Sequence, residues 1–287
     1  MPLVEADGRS LYAESFGDPA DPTLLLISGL TSQLTSWPVE FCEAFVDRGF
    51  FVIRFDNRDV GLSTKFVDRE QYSLSDMADD AVEVLQYFDA APAHVMGISM
   101  GGMVAQVLAI DHPEVVLSLI SLSSRTGHPD FGNSTPEAIE ALLVEPATTR
   151  AEAEAIGVAG KRVWGTPDTW NEDEWAAFSG DNFDRAAPAE GSGLRQYLAL
   201  EGSGNRDEQL GKIEVPTLVM HGTIDPLISV DGGRHTADVI PGAVFEELEG
   251  VGHDLPITEW PHIVSLVTTH AVSAASSDRG RALLEGS

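Results

Sequence analysis

The run Gly97-Ile98-Ser99-Met100-Gly101, followed by Gly102, sets a serine among glycines. The apolar AHVM precedes it and GMVAQVLAI follows, so the serine falls between a strand-like and a helix-like segment. A turn that tight strains the serine backbone and leaves its neighbours no room for a Cβ, a demand that glycine meets. Ser99 would then stand at a helix N-terminus, where the dipole and free N–H groups favour developing negative charge. Nucleophilic attack on a carbonyl carbon needs this placement.

A serine hydroxyl needs a base, and the base needs a carboxylate to orient it; for this motif they follow in the order serine, acid, histidine. Asp225 stands in H-G-T-I-D-P just past the strand-like PTLVMHG, and Pro226 ends that strand. The other place for an acid, after Ser123-Ser124-Arg125, has no carboxylate before Asp130. His253 comes 28 residues after Asp225 in G-V-G-H-D, where Gly250 and Gly252 permit a close approach. Of the other seven histidines, His128 is the alternative base; His221 ends a strand, and His235 and His262 fall on predicted helices. A tetrahedral intermediate also needs backbone donors, one after the nucleophile and one after an early strand. The candidates are the N–H groups of Met100 and, after LLLISG, of Leu30.

These residues require a sheet to hold them. LYAESFG (11–17), LLLIS (24–28), FFVIRFD (50–56), AHVMGIS (93–99), VVLSLISLSS (115–124), PTLVMHG (216–222) and AVFEEL (243–248) are short β-type runs. Most are separated by helix-length stretches, which predicts parallel strands buried on both faces. Ser36 is the expected cap of a helix through Phe41, Cys42 and Phe45, and Ser75 or Asp76 of one through Val82, Leu85 and Phe88. Further helices are expected over 231–239 and 260–273. The alternation lapses over 126–207, which reads as a mainly helical cap inserted into a core of 1–125 and 208–274. Residues 275–287 read as a loosely held tail. Trp164, Trp170, Trp175, Phe178 and Phe183 are candidates for lining a substrate pocket under the cap, or else form the insertion's own core.

Over nearly its full length the chain resembles the α/β-hydrolase superfamily. Besides the elbow, H-G-x-x-D-P and G-H, the loop F-D-N-R-D-V-G-L-S at 55–63 is similar to the D-x-R-G-x-G-x-S loop of the esterase and haloperoxidase branch. F-G-D-P-A-D-P-T-L-L-L-I-S-G-L with Trp37-Pro38 looks most like the aclacinomycin methylesterase-type group. The resemblance implies an α/β fold with a mostly parallel sheet, a Ser99–Asp225–His253 triad and hydrolysis of carboxylic esters without metal or cofactor. Two positions depart from the pattern: Ser28-Gly29 replaces the frequent His-Gly, and Asp59 replaces a glycine. Cofactor-free perhydrolysis, lactone or C–C bond hydrolysis, and ligand binding without turnover are alternatives on the same frame.

At 287 residues, 43% apolar and a mean hydropathy of −0.03, the composition is that of a globular protein. No apolar run approaches the roughly 20 residues of a membrane span, and no export signal is recognisable at the start. The expected location is therefore the cytoplasm, and Cys42, the only cysteine, agrees with it: it excludes an internal disulfide and reads as a packed helical thiol. A net charge of −29 disfavours nucleic acid and anionic membranes as partners and favours a neutral ester of small to medium size as substrate. The sequence leaves the oligomeric state unknown. If the acidic surface is an adaptation to salt, the melting temperature will rise from dilute buffer to molar salt, where charges are screened beyond about 3 Å.

Overall fold

The apolar runs assemble into one eight-stranded sheet in the computed structural model, which describes residues 3–6, 8–66 and 71–286. Its strands are β1 (Leu3–Ala6), β2 (Arg9–Phe16), β3 (Thr23–Ile27), β4 (Phe51–Phe55), β5 (Ala93–Ile98), β6 (Val116–Leu122), β7 (Thr217–Gly222) and β8 (Val244–Leu248). Their order is β1-β2-β4-β3-β5-β6-β7-β8; β2 pairs antiparallel with both β1 and β4, and every other pairing is parallel. Every residue of β3, β4, β6 and β7 is buried, because helices cover both faces. Edge strand β8 is half exposed, which accommodates Glu246 and Glu247. From β3 the chain goes first to one side, to β4, and then to the other, to β5. That reversal opens a crevice beyond the carboxyl ends of β3 and β5.

On one face α1 (Val39–Val46) sets Phe41, Cys42 and Phe45 beside Trp37 and the buried side of α10 (Trp260–Ala275). On the other lie α2 (Leu74–Tyr87), α3 (Met100–Asp111) and α9 (Val230–Val239). Two helix starts differ from expectation. Ser36 closes a short 3-10 turn, so α1 begins after Pro38, whose fixed φ suits a helix start. For α2 the cap is Ser73, whose Oγ accepts from the Asp76 N–H while Asp76 accepts from the Ser73 N–H. Burial pushes the Cys42 thiol up to about 12, consistent with a packing role.

Five helices lie between β6 and β7: α4 (Pro136–Leu142), α5 (Arg150–Trp164), α6 (Glu172–Arg185), α7 (Ser192–Gly202) and α8 (Asp207–Leu210). Arg206 pins both ends of this cap together. Its N–H donates to the Thr126 carbonyl at 3.0 Å, and its Nη2 to the Arg125 carbonyl at 2.8 Å and Gln106 at 3.1 Å. The segment expected as a tail is described up to residue 286 and is mostly helical. α11 (Asp278–Gly286) folds back so that Arg279 donates to the carbonyls of Val116 and Pro113, satisfying groups at the start of β6. Among the described residues no helix is long and apolar enough to cross a membrane.

His94 lies within β5, 1% exposed, its Nδ1 2.8 Å from Ser118 Oγ. Burial, helped by the charge of His270, lowers its pKa to about 4. The unfolded chain therefore binds a proton between about pH 6.5 and 4 that the folded chain refuses, so stability is full above that window and falls as pH drops through it. Urea unfolding at pH 7 and pH 4.5 will show a loss to which His94 contributes on the order of 2–3 kcal/mol, and His94→Asn will lose measurably less.

Candidate active site

Ser99 occupies the crevice where β5 turns into α3, with φ 57° and ψ −123°, a region that L-residues rarely enter. Close packing enforces the turn. A Cβ on Gly97 would lie 2.0 Å from the Gly101 carbonyl oxygen, one on Gly101 2.1 Å from that of Ile27, and one on Gly102 2.6 Å from Ser124 Cβ. The Ser99 N–H donates to the Leu122 carbonyl at 2.9 Å, and its own carbonyl accepts from Ser124 Oγ at 2.8 Å. Met100 is the first residue of α3, so its N–H has no acceptor within the helix.

Asp225 follows β7 and its side chain is fully buried. Oδ1 accepts the N–H groups of Leu227 and Ile228, both at 2.9 Å, and Oδ2 lies 2.6 Å from His253 Nδ1. Burial raises the carboxyl pKa, but the charges and hydrogen bonds of His253 and His221 outweigh it and hold Asp225 well below the usual carboxylate range. Since an ionised carboxylate can only accept, the proton of this contact sits on His253 Nδ1, which leaves Nε2 as the acceptor. His221 takes a part the sequence reading missed. Its Nε2 donates to the Ile228 carbonyl at 2.7 Å and stands 3.4 Å from Asp225 Oδ2. His128, the alternative base, packs instead against Phe131 and His235, with ring centroids 5.0 Å away in each case.

The loop after β3 runs beside Ser99: a Cβ on Gly29 would lie 3.4 Å from Ser99 Cβ. Ser28 is steadied by Asn57 Nδ2, which donates to its carbonyl at 3.0 Å, and by Ser36 Oγ at 3.1 Å. The Thr31 N–H donates to Gln196 Oε1 at 2.8 Å, and Gln196 Nε2 to the Arg58 carbonyl at 2.9 Å. Gln196, on α7 and 0% exposed, thus ties the loop carrying Leu30 to the loop 55–63. Asp59 takes its glycine-like φ of 69° because Arg195 Nε and Nη2 grip both carboxylate oxygens at 2.8 and 2.9 Å and Tyr72 Oη donates to it at 2.9 Å.

A cavity of about 290 Å³ opens over Ser99 and Leu30. Met103, Leu227 and Ile228 line it from the core, Ile139, Leu142, Tyr197 and Leu200 from α4 and α7, and Arg125 and Glu201 supply charged groups. The aromatic residues expected in the pocket lie elsewhere: Trp164, Trp170, Trp175 and Phe178 are not among the residues lining this cavity, nor is Phe183. Trp175 packs on Phe178 at 4.9 Å, donates to the Gly157 carbonyl at 3.0 Å and receives Lys161 Nζ over its ring at 4.1 Å. The Trp164 ring covers Gly160. Trp175 thereby joins α6 to α5, and all five aromatic residues are only half-buried.

A family model for the α/β-hydrolase fold matches residues 22–259. The chain belongs to the α/β-hydrolase family. This hydrolase is 31% identical over an alignment of 310 residues to rhodomycin D methylesterase DauP of Streptomyces sp. (strain C5), covering 95% of this chain and 98% of the relative. It is 30% identical, with the same coverage, to rhodomycin D methylesterase DnrP of Streptomyces peucetius. Among solved structures, a meta-cleavage product hydrolase of Pseudomonas fluorescens IP01 superposes with a TM-score of 0.81 at 17% identity, covering 96% of this chain and 98% of that one, a likeness of fold.

Gln196→Leu will orphan the Thr31 N–H and the Arg58 carbonyl, lowering stability by about 1–3 kcal/mol for each group left dry. Thermal melting will show that loss, and hydrolytic turnover will fall more than KM changes if the loop after β3 shifts.

Proposed function

We propose that this protein is a serine-dependent carboxylic-ester hydrolase that works through an acyl-enzyme. The observation that carries the reading is the strained Ser99 turn at the head of α3, on the wall of the cavity. In this reading Ser99 Oγ attacks the ester carbonyl while His253 Nε2 removes its proton. Asp225 holds the imidazole with its proton on Nδ1 and stabilises the imidazolium. The oxyanion is received by the N–H groups of Met100 and Leu30. His253 then protonates the departing alcohol, and a water activated by the same nitrogen releases the acid.

A neutral ester of small to medium size fits the mainly aliphatic cavity and the acidic chain. The two methylesterase relatives point to a methyl ester, whose leaving alcohol needs little room. A cytoplasmic setting suits a chain whose single cysteine is buried and unpaired.

The test is hydrolysis of p-nitrophenyl esters from acetate to decanoate, together with methyl esters of the same acids. Ser99→Ala, with unchanged circular dichroism, will lower kcat by about 10⁴-fold or more, and Asp225→Asn by about 10⁴-fold. Hydrolysis that persists in folded Ser99→Ala would overturn the reading. Ile139→Trp, placed in the cavity wall, will shift the optimum to shorter acyl chains.

A further inference from the structure

The loop bearing His253 is held from two sides. Up to Val251 its partners are in the core: the Gly250 N–H donates to Thr223 Oγ1 at 2.8 Å, and the Val251 carbonyl accepts from the Ile224 N–H at 3.1 Å. From Gly252 onward the cap takes over. The Gly252 N–H donates to Thr166 Oγ1 at 2.9 Å, and the His253 N–H to the Trp164 carbonyl at 2.6 Å. Asp254 accepts Thr166 Oγ1 at 2.5 Å, the Thr166 N–H at 3.1 Å and Lys161 Nζ at 2.5 Å. The Lys161 and Asp254 side chains are only 6% and 7% exposed.

We propose that Thr166 and Lys161 of the cap are positioning residues for His253, acting through Gly252 and Asp254. The inference rests on the reading of His253 as the general base. The Thr166 hydroxyl accepts from the residue before the histidine and donates to the residue after it, so one side chain brackets the base. Gly252 is glycine because the cap backbone presses on it: a Cβ there would lie 2.3 Å from the Trp164 carbonyl oxygen. Lys161 neutralises the Asp254 carboxylate inside the junction and is itself held over the Trp175 ring at 4.1 Å. None of these residues lines the substrate cavity, so their effect falls on the base and not on substrate binding.

Thr166→Val keeps the shape and removes the hydroxyl; Thr166→Ser keeps the hydroxyl. Thr166→Val will lower kcat about tenfold with KM within about twofold, because a small displacement of a catalytic group is costly, and Thr166→Ser will recover most of the loss. The rate at which an uncharged fluorophosphonate modifies Ser99 will fall in parallel, and the downfield Nδ1 proton of His253 will broaden in the NMR spectrum. Lys161→Met will act in the same direction, and the double variant will lose less than the product of the two single losses. A folded Thr166→Val with wild-type kcat and modification rate, or with raised KM alone, would overturn the proposal. If Thr166→Val does not fold, the same readouts on Lys161→Met decide. Failure of the triad reading would look different, as a wild type whose turnover survives Ser99→Ala.

Discussion

The rest of the structure depends on one crowded crossing, where the first turn of α3 passes within contact of the ends of β3 and β5. Gly97 and Gly101 allow backbone to meet backbone there, and the left-handed conformation of Ser99 is the geometry that remains. The parallel register of β3 and β5, with Ile27 opposite Gly97, brings the loop holding Leu30 level with the serine. The buried central strands resist relaxation of that turn, since any shift of β5 would disturb both neighbouring strands, β3 and β6.

Three of the chain's few cations hold the cap to the core. The protein has 17 lysines and arginines against 46 acids, yet Arg185 reaches the buried Asp56, Arg195 the buried Asp59, and Lys161 the buried Asp254. All three pairs join cap to core. Carboxylates drawn out of water would otherwise be costly, so each cation both offsets that cost and fixes where the cap sits. Being buried, these pairs are screened little by salt, unlike the acidic surface.

The elements that carry the proposed triad were legible in the sequence because their demands are local. A glycine-flanked serine, an Asp-Pro after a β run and a histidine between glycines each state a backbone requirement in adjacent residues. The cap was not legible in the same way. In α7 two leucines point outward, Leu194 61% and Leu198 46% exposed, while Gln196 is fully buried because its amide completes two backbone hydrogen bonds in the core. The cap tryptophans left two readings open in the sequence, and they lie outside the cavity wall, with Trp175 packed on Phe178 of its own helix. Asp59 in a glycine's position made sense only once Arg195, 136 residues away, lay beside it.

Gly252 carries a consequence for how such a protein can change over generations. Because the cap backbone rests directly on that residue, the insertion and the histidine loop cannot vary independently: what suits position 252 is decided by the turn at 164–166, and what suits Asp254 by Lys161. The inner faces of α4 and α7 carry no such debt to the histidine loop. Inheritance can therefore rewrite Ile139, Leu142 or Tyr197 one at a time, whereas the junction around His253 has to be handed down as a set.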